Sequence, residues 1–179
     1  MTARPDVARA EGKELVIIRV FDAPRSLVFQ AFAEAERLAQ WWGPKGFAIH
    51  VSKLEFRPGG VFHYRMAGPN GHDMWGQFHY REIVEPERIV FVNTFSDPDG
   101  GLTRAPFGPS FETYPLEVLN TVTLHEQDGK TTLALRAAPI DATAAERATF
   151  EGFLNSMRQG YGGTWDQLDA YLAKEQARA

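Results

Sequence analysis

The sequence predicts an α+β fold: a curved antiparallel sheet of about seven strands around one long C-terminal helix, with two short helices after the first strand. Three observations carry this. Six consecutive strand-like segments, 47–57, 60–67, 73–84, 88–96, 116–126 and 130–138, are divided by turn residues rather than by helical stretches. The hydrophobic period changes at Pro24, where apolar residues begin to recur at helical spacing. Finally, Thr143-Ala-Ala-Glu146 is a Thr-x-x-Glu capping signature ahead of an apolar stripe long enough to cover a sheet.

The elements follow in order. Residues 1–12 read as a loose tail and 13–176 as a single domain, which suits a chain of 179 residues. Lys13 to Asp22 is a strand, because β-branched residues crowd it and Pro24 follows. Pro24 suits a first helical turn with Asp22 as its cap. Leu27, Val28, Ala31 and Phe32 recur at helical spacing, and Gly43-Pro44 stops the helical region just after Trp41 and Trp42. The strands that follow are separated by Pro58-Gly59-Gly60, Gly68-Pro69-Asn70-Gly71, Glu85-Pro86-Glu87 and Asp128-Gly129; Asn-Gly and Asp-Gly supply the positive φ of tight hairpins. The segment 97–115 is too long and too rich in Gly and Pro for a hairpin, which marks it as a lid, a binding loop or a mobile stretch. In the last segment Phe150, Phe153, Leu154, Met157, Tyr161, Leu168 and Leu172 form one stripe of a single long helix. Gly160, Gly162 and Gly163 interrupt that stripe at about 1 kcal/mol each against alanine, so a kink or room for a neighbour is expected there.

Composition removes several function classes. Nineteen Lys and Arg against 23 Asp and Glu give a net charge of −4 with no basic cluster, which argues against nucleic acid. With no cysteine, disulfides, thiolate metal sites and thiol nucleophiles are excluded. Residues 1–13 lack a secretory signal, and Leu15 to Ile18, the longest apolar run, is far short of the ~20 residues a bilayer needs; no membrane insertion and a cytoplasmic location are expected. No nucleophile elbow, phosphate loop or dinucleotide fingerprint is present, so no cofactor is expected. His50, His63, His72, His79 and His125 form no metal-ligand spacing and read as surface residues, with His63 and His79 on the convex face; no metal site is assigned.

Ile18-Arg19-Val20-Phe21-Asp22-Ala23-Pro24, Trp41-Trp42-Gly43-Pro44, Pro58-Gly59-Gly60, Pro86-Glu87-Arg88-Ile89-Val90-Phe91, Asn120-Thr121-Val122-Thr123-Leu124 through Gly129-Lys130-Thr131, and Met157-Arg158-Gln159-Gly160-Tyr161 occur in this order. In them the chain resembles the bacterial proteins similar to the C-terminal domain of the activator of Hsp90 ATPase, within the START-like helix-grip (SRPBCC) superfamily of polyketide cyclases and lipid-transfer domains. The resemblance implies a helix-grip fold with an internal pocket for an apolar or aromatic small molecule. It does not choose among carriers, cyclases, hydrolases and chaperone regulators. Tyr161 and Tyr114 stand where relatives often have tryptophan, and Trp165 where a smaller aliphatic residue is usual.

A curved sheet cannot touch a straight helix along its whole length, so aromatic side chains or a ligand must fill the gap. Alternation places Phe62, Tyr64 and Met66 on one face, and groups Met74, Phe78 and Tyr80 likewise. With Trp41, Trp42, Phe91, Phe95, Phe153, Met157 and Tyr161 they would line a chamber. Each alone reads as core; together, their excess of Tyr and Trp over Leu favours a pocket with hydrogen-bonding walls. Hence the first expectation is binding of a hydrophobic or aromatic small molecule. A cyclase- or hydrolase-like enzyme is the alternative, with Tyr64, Tyr80 and Glu82 as candidate proton-handling groups; Glu82 shares the inward parity of Tyr80 unless a bulge intervenes. A chaperone partner of the Hsp90 type follows from the resemblance alone, and no segment demands a homodimer. Arg19, the one charge in the first strand, is expected to pair with a carboxylate across the sheet.

Overall fold

The computed structural model describes residues 13–71 and 73–178; the tail 1–12 and His72 lie outside the described residues. The elements are β1 (Leu15–Phe21), α1 (Arg25–Ala33), α2 (Ala35–Trp41), β2 (Ala48–Leu54), β3 (Val61–Ala67), β4 (Asp73–Val84), β5 (Arg88–Ser96), β6 (Leu102–Thr103), β7 (Val118–Gln127), β8 (Lys130–Pro139), α3 (Ala144–Gly152) and α4 (Leu154–Ala177). The strands form one antiparallel sheet in the order β1-β8-β7-β5-β4-β3-β2, and the two-residue β6 pairs with β5 beyond the end of β7. This is the helix-grip arrangement, and every long strand predicted from the sequence is present. The extra strand lies within 97–115, which also holds a 3₁₀ turn at Pro109–Phe111.

Local chemistry explains most boundaries. Asp128 and Gly129 both take positive φ, 55° and 76°, and join Gln127 to Lys130 in a two-residue hairpin of the kind whose twist matches the strands. The capping box is complete: Thr143 Oγ1 accepts from the Glu146 N–H and Glu146 Oε1 accepts from the Thr143 N–H, both at 3.1 Å. Two expectations need correction. Asp22 does not cap α1; Pro24 occupies that position, and the Arg25 N–H donates to Glu126 Oε1 of β7 at 2.6 Å instead. The C-terminal helix is broken at Phe153, where the ring stacks on Phe111 at 4.4 Å, and not at the three glycines.

Those glycines are helical; Gly160 is exposed, and Gly162 and Gly163 are half-buried. A methyl on Gly160 or Gly162 would meet nothing within 4 Å, and one on Gly163 would only touch Pro44, at 3.7 Å. They neither bend α4 nor admit a close neighbour. Their effect is to leave this turn weakly helical.

The interior falls into two clusters. The larger unites α1, α2, the second half of α4 and the concave face of the sheet, around Trp41, Phe62, Phe78 and Trp165. The smaller joins Leu15, Val118 and Ala137 to Phe150 and Leu154. Ile17 and Tyr161 pack against both. Along α4, Thr164, Trp165, Leu168, Tyr171 and Leu172 are buried, whereas 155–163 is nowhere more than half-buried. Arg19 secures the better-packed half: it binds Asp166 of α4 at 2.7 Å and lies 5.8 Å from the centre of the Phe21 ring. Its partner thus comes from the helix, not from across the sheet.

Because Gly160 and Gly162 have ordinary φ and open space around them, alanine there should stabilise the fold by about 0.4–1 kcal/mol each. The double variant Gly160→Ala/Gly162→Ala is expected to melt a few degrees higher in calorimetry. A lower Tm would show a contact role for these glycines.

Candidate functional site

The residues expected to face the helix do so in a continuous row of rings. Phe91 stacks on Phe78 at 4.0 Å; Phe78 meets Phe62 at 5.1 Å and Trp42 at 5.1 Å; Phe62 stacks on Tyr64 at 4.7 Å. Trp42 reaches Tyr161 at 6.3 Å, Tyr161 stacks on Trp165 at 5.5 Å, and Trp165 on Trp41 at 6.2 Å. Trp41, Trp42, Phe62, Tyr64, Met66, Phe78, Tyr80 and Phe91 are buried; Met74, Phe95, Phe153, Met157 and Tyr161 are half-buried and mark the looser end. Rings, rather than open space, separate sheet from helix along this row. An open cavity of about 520 Å³ lies elsewhere, at the surface between Lys13 and the α3–α4 junction, among Glu151, Asn155 and Arg158.

Several polar groups are buried within the ring-lined interior. The indole N–H of Trp165, 1% exposed, has no hydrogen-bond partner among the described residues, and that of Trp42, 8% exposed, has no well-aligned one, only the Tyr64 hydroxyl beside it. Trp41, by contrast, donates to the Ala31 carbonyl at 2.9 Å. Burial raises the pKa of Tyr64, which is partly offset by the Trp42 and Asn93 side chains beside its hydroxyl. It raises Tyr80 and Tyr161 as well, with the nearby Tyr64 adding to the effect. These hydroxyls stay protonated at neutral pH, so they can donate hydrogen bonds but not serve as bases. Gly76 makes the Tyr64 position available, since a Cβ there would sit 2.7 Å from the Tyr64 hydroxyl and 2.8 Å from Cζ.

Two sequence expectations are corrected. A bulge between Tyr80 and Glu82 shifts the register, so Tyr80 opposes Phe91 while Glu82 opposes Val90. Glu82 therefore faces outward, is exposed, and pairs with Arg88 at 3.2 Å; Ile83 takes the inward place. His63 is not a surface residue. The turn after β5 folds over it: Nε2 lies 3.1 Å from Ser96 Oγ, the ring stacks on Trp75 at 5.0 Å, and Gln77 donates to the Gly100 carbonyl alongside. His79, across from Val61, remains exposed. Among the described residues, no three His, Asp or Glu side chains come together as a metal site would need. No helix there is long and apolar enough to cross a membrane.

The 97–115 loop closes the looser end with its own aromatic residues. Phe107 meets Phe95 at 5.5 Å and Phe111 at 5.1 Å; Phe111 stacks on Phe153, and Tyr114 contacts Phe95, Phe150 and Phe153 at 6.0–6.4 Å. Burial pushes Tyr114 up to about 12, and its hydroxyl donates to Met157 Sδ at 3.6 Å. Arg104 latches the loop: one guanidinium nitrogen donates to Glu146 Oε2 at 2.8 Å and to the Tyr114 carbonyl at 3.1 Å. That hydrogen bond, with help from the Thr143 N–H, holds the Glu146 carboxyl below the usual range. Phe107, Phe111 and Phe150 were not among the expected lining residues. Their signal in the sequence was the aromatic content of a stretch otherwise made of Gly, Pro and polar residues.

Comparison with known proteins agrees with this geometry. Residues 22–173 match the family described as Activator of Hsp90 ATPase homolog 1-like protein. A crystal structure of a Mycobacterium smegmatis protein is 26% identical, covers 90% of this chain and 92% of its own, and superposes with a TM-score of 0.71. A solution structure from Arthrobacter aurescens is 23% identical over 90% and 86% of the two chains with a TM-score of 0.74. A crystal structure of a Nitrosomonas europaea protein is 22% identical over 92% and 96%, with a TM-score of 0.70. The last two speak for the fold alone. No curated protein matches.

Two measurements check this site. Gly76→Ala should force the Tyr64 ring aside and destabilise the protein by about 1–3 kcal/mol, with perturbed Tyr64 and Trp42 ring signals in NMR; unchanged spectra would contradict the contact. Because the Glu146 pKa is lowered by folding, its contribution is complete above the unfolded pKa and is lost as pH falls through the folded one. Limited proteolysis by an acid-active protease should therefore cut the 97–115 loop faster below about pH 4 than at pH 6. Arg104→Gln should raise cleavage at pH 6 and flatten that dependence; a profile identical to wild type would discard the latch.

Proposed function

As the chain belongs to the Activator of Hsp90 ATPase homolog 1-like family and has its START-like fold, we propose that it binds a flat, apolar or aromatic small molecule between α4 and the concave face of the sheet. The observation that carries this reading is the unpartnered indole donor of Trp165 in the interior; the Trp42 indole has only the Tyr64 hydroxyl beside it. A buried polar group without a partner costs about 1–3 kcal/mol. An acceptor on a bound molecule would recover that loss, while the surrounding rings offer stacking faces. The route in runs beneath the aromatic loop at 97–115 and past Tyr161, the half-buried ring that bridges the two core clusters. Binding displaces Tyr161, and the glycine-rich turn on either side of it lets it move at small cost.

The cyclase-like alternative finds less support. Glu82 lies on the outer face, and Tyr64 and Tyr80 are held protonated, so the three do not form an acid–base set. The part of Tyr64 and Tyr80 is to orient a carbonyl or hydroxyl by donating to it. A chaperone partner rests on the name of the family, whereas small-molecule binding draws on the interior of this chain.

Native mass spectrometry and thermal shift against aromatic polyketides, flavonoids and fatty acids test the reading. Flat aromatic compounds should raise Tm at one-to-one stoichiometry, and Tyr161→Ala should bind them more tightly while melting lower. If no compound binds, or binding is indifferent to Tyr161→Ala and Trp42→Phe alike, the reading fails.

A further inference from the structure

One buried acceptor also lacks a partner. On the inward face of β7, Val118, Asn120, Val122 and Leu124 alternate with less buried residues. Val118 belongs to the smaller core cluster, while Val122 and Leu124 belong to the larger. Asn120 thus stands at the seam between them, opposite Phe91 of the larger cluster and Ala137 of the smaller. It is 1% exposed. Its Nδ2 donates to the Val118 carbonyl at 3.0 Å, which fixes the orientation of the amide. The remaining atom, Oδ1, is a carbonyl oxygen with two lone pairs and no donor within reach among the described residues. A valine or leucine here would continue the alternation of the strand without that cost.

Building on the small-molecule reading, we propose that Asn120 Oδ1 is the anchor for a hydroxyl on the bound molecule, which makes the ligand a hydroxylated flat aromatic rather than a hydrocarbon or a long-chain acid. The seam is apolar on both sides, so the ring system lies between the clusters. The hydroxyl hydrogen points at Asn120, and the indole donor of Trp165 is the group left to receive an acceptor oxygen on the same molecule. A hydrocarbon would leave Asn120 Oδ1 and the Trp165 indole as they are. A carboxylate would place a charge among rings and neutral donors, with no cation in the buried set to meet it.

The test compares 2-naphthol with naphthalene by calorimetric titration. Wild type should bind 2-naphthol about tenfold more tightly, the difference one recovered hydrogen bond makes. In Asn120→Leu that ratio should fall to about one, a readout independent of any overall loss of stability. Equal binding of the two by wild type, or a ratio that persists in Asn120→Leu, overturns the anchor and leaves the interior site standing. Binding of neither overturns both. Should Asn120→Leu fail to fold, the wild-type Asn120 side-chain amide, observed by ¹⁵N NMR, must shift on adding 2-naphthol and not on adding naphthalene; an unmoved resonance overturns the anchor.

Discussion

Ring-on-ring packing between a curved sheet and a straight helix is the contact on which the rest of this structure depends. The sheet bends away from α4, so the helix backbone meets β1 and α2, while the middle strands are reached only through side chains. Trp42 spans that gap, touching Phe78 and Tyr64 on the sheet side and Tyr161 on the helix side. Aromatic pairs in such edge and stacked geometries add about 0.5–1.5 kcal/mol each beyond the area they bury. Without them the two layers would share little.

The same arrangement divides α4 into unequal parts. From Thr164 onward the helix is held by Trp165, Leu168 and Leu172 in the larger core and by the Arg19–Asp166 pair. Before Thr164 it carries glycines with empty surroundings and half-buried Met157 and Tyr161. The aromatic loop and its Arg104–Glu146 latch cover this weaker part. An unpartnered donor, Trp165, and an unpartnered acceptor, Asn120, are buried in the interior. Apolar residues at these positions would avoid the cost of a buried polar group without a partner.

Much of this was readable from the residues. Two-residue periodicity in 61–67 and 73–80 placed Phe62, Tyr64, Met66, Phe78 and Tyr80 together, because side-chain direction in a regular strand follows from parity alone. Asp128-Gly129 and the Thr143–Glu146 box announced their own geometry. What escaped was set by tertiary contact. The bulge at Arg81 reverses parity at Glu82 with no local marker. His63 is buried by a turn more than thirty residues away in sequence, as its contact with Ser96 shows. The helix breaks at Phe153, whose ring stacks on Phe111 of the loop, and not at the glycines. Asn120 read as one polar residue of a family motif, since its isolation follows from what surrounds it.

Hydrogen exchange along α4 tests the central claim most directly. If the helix is anchored in its second half and loosely seated in its first, amides from 156 to 163 exchange through local opening well below the global unfolding energy, while those from Trp165 to Leu172 exchange only with global unfolding. Uniform protection along the whole helix would contradict the account.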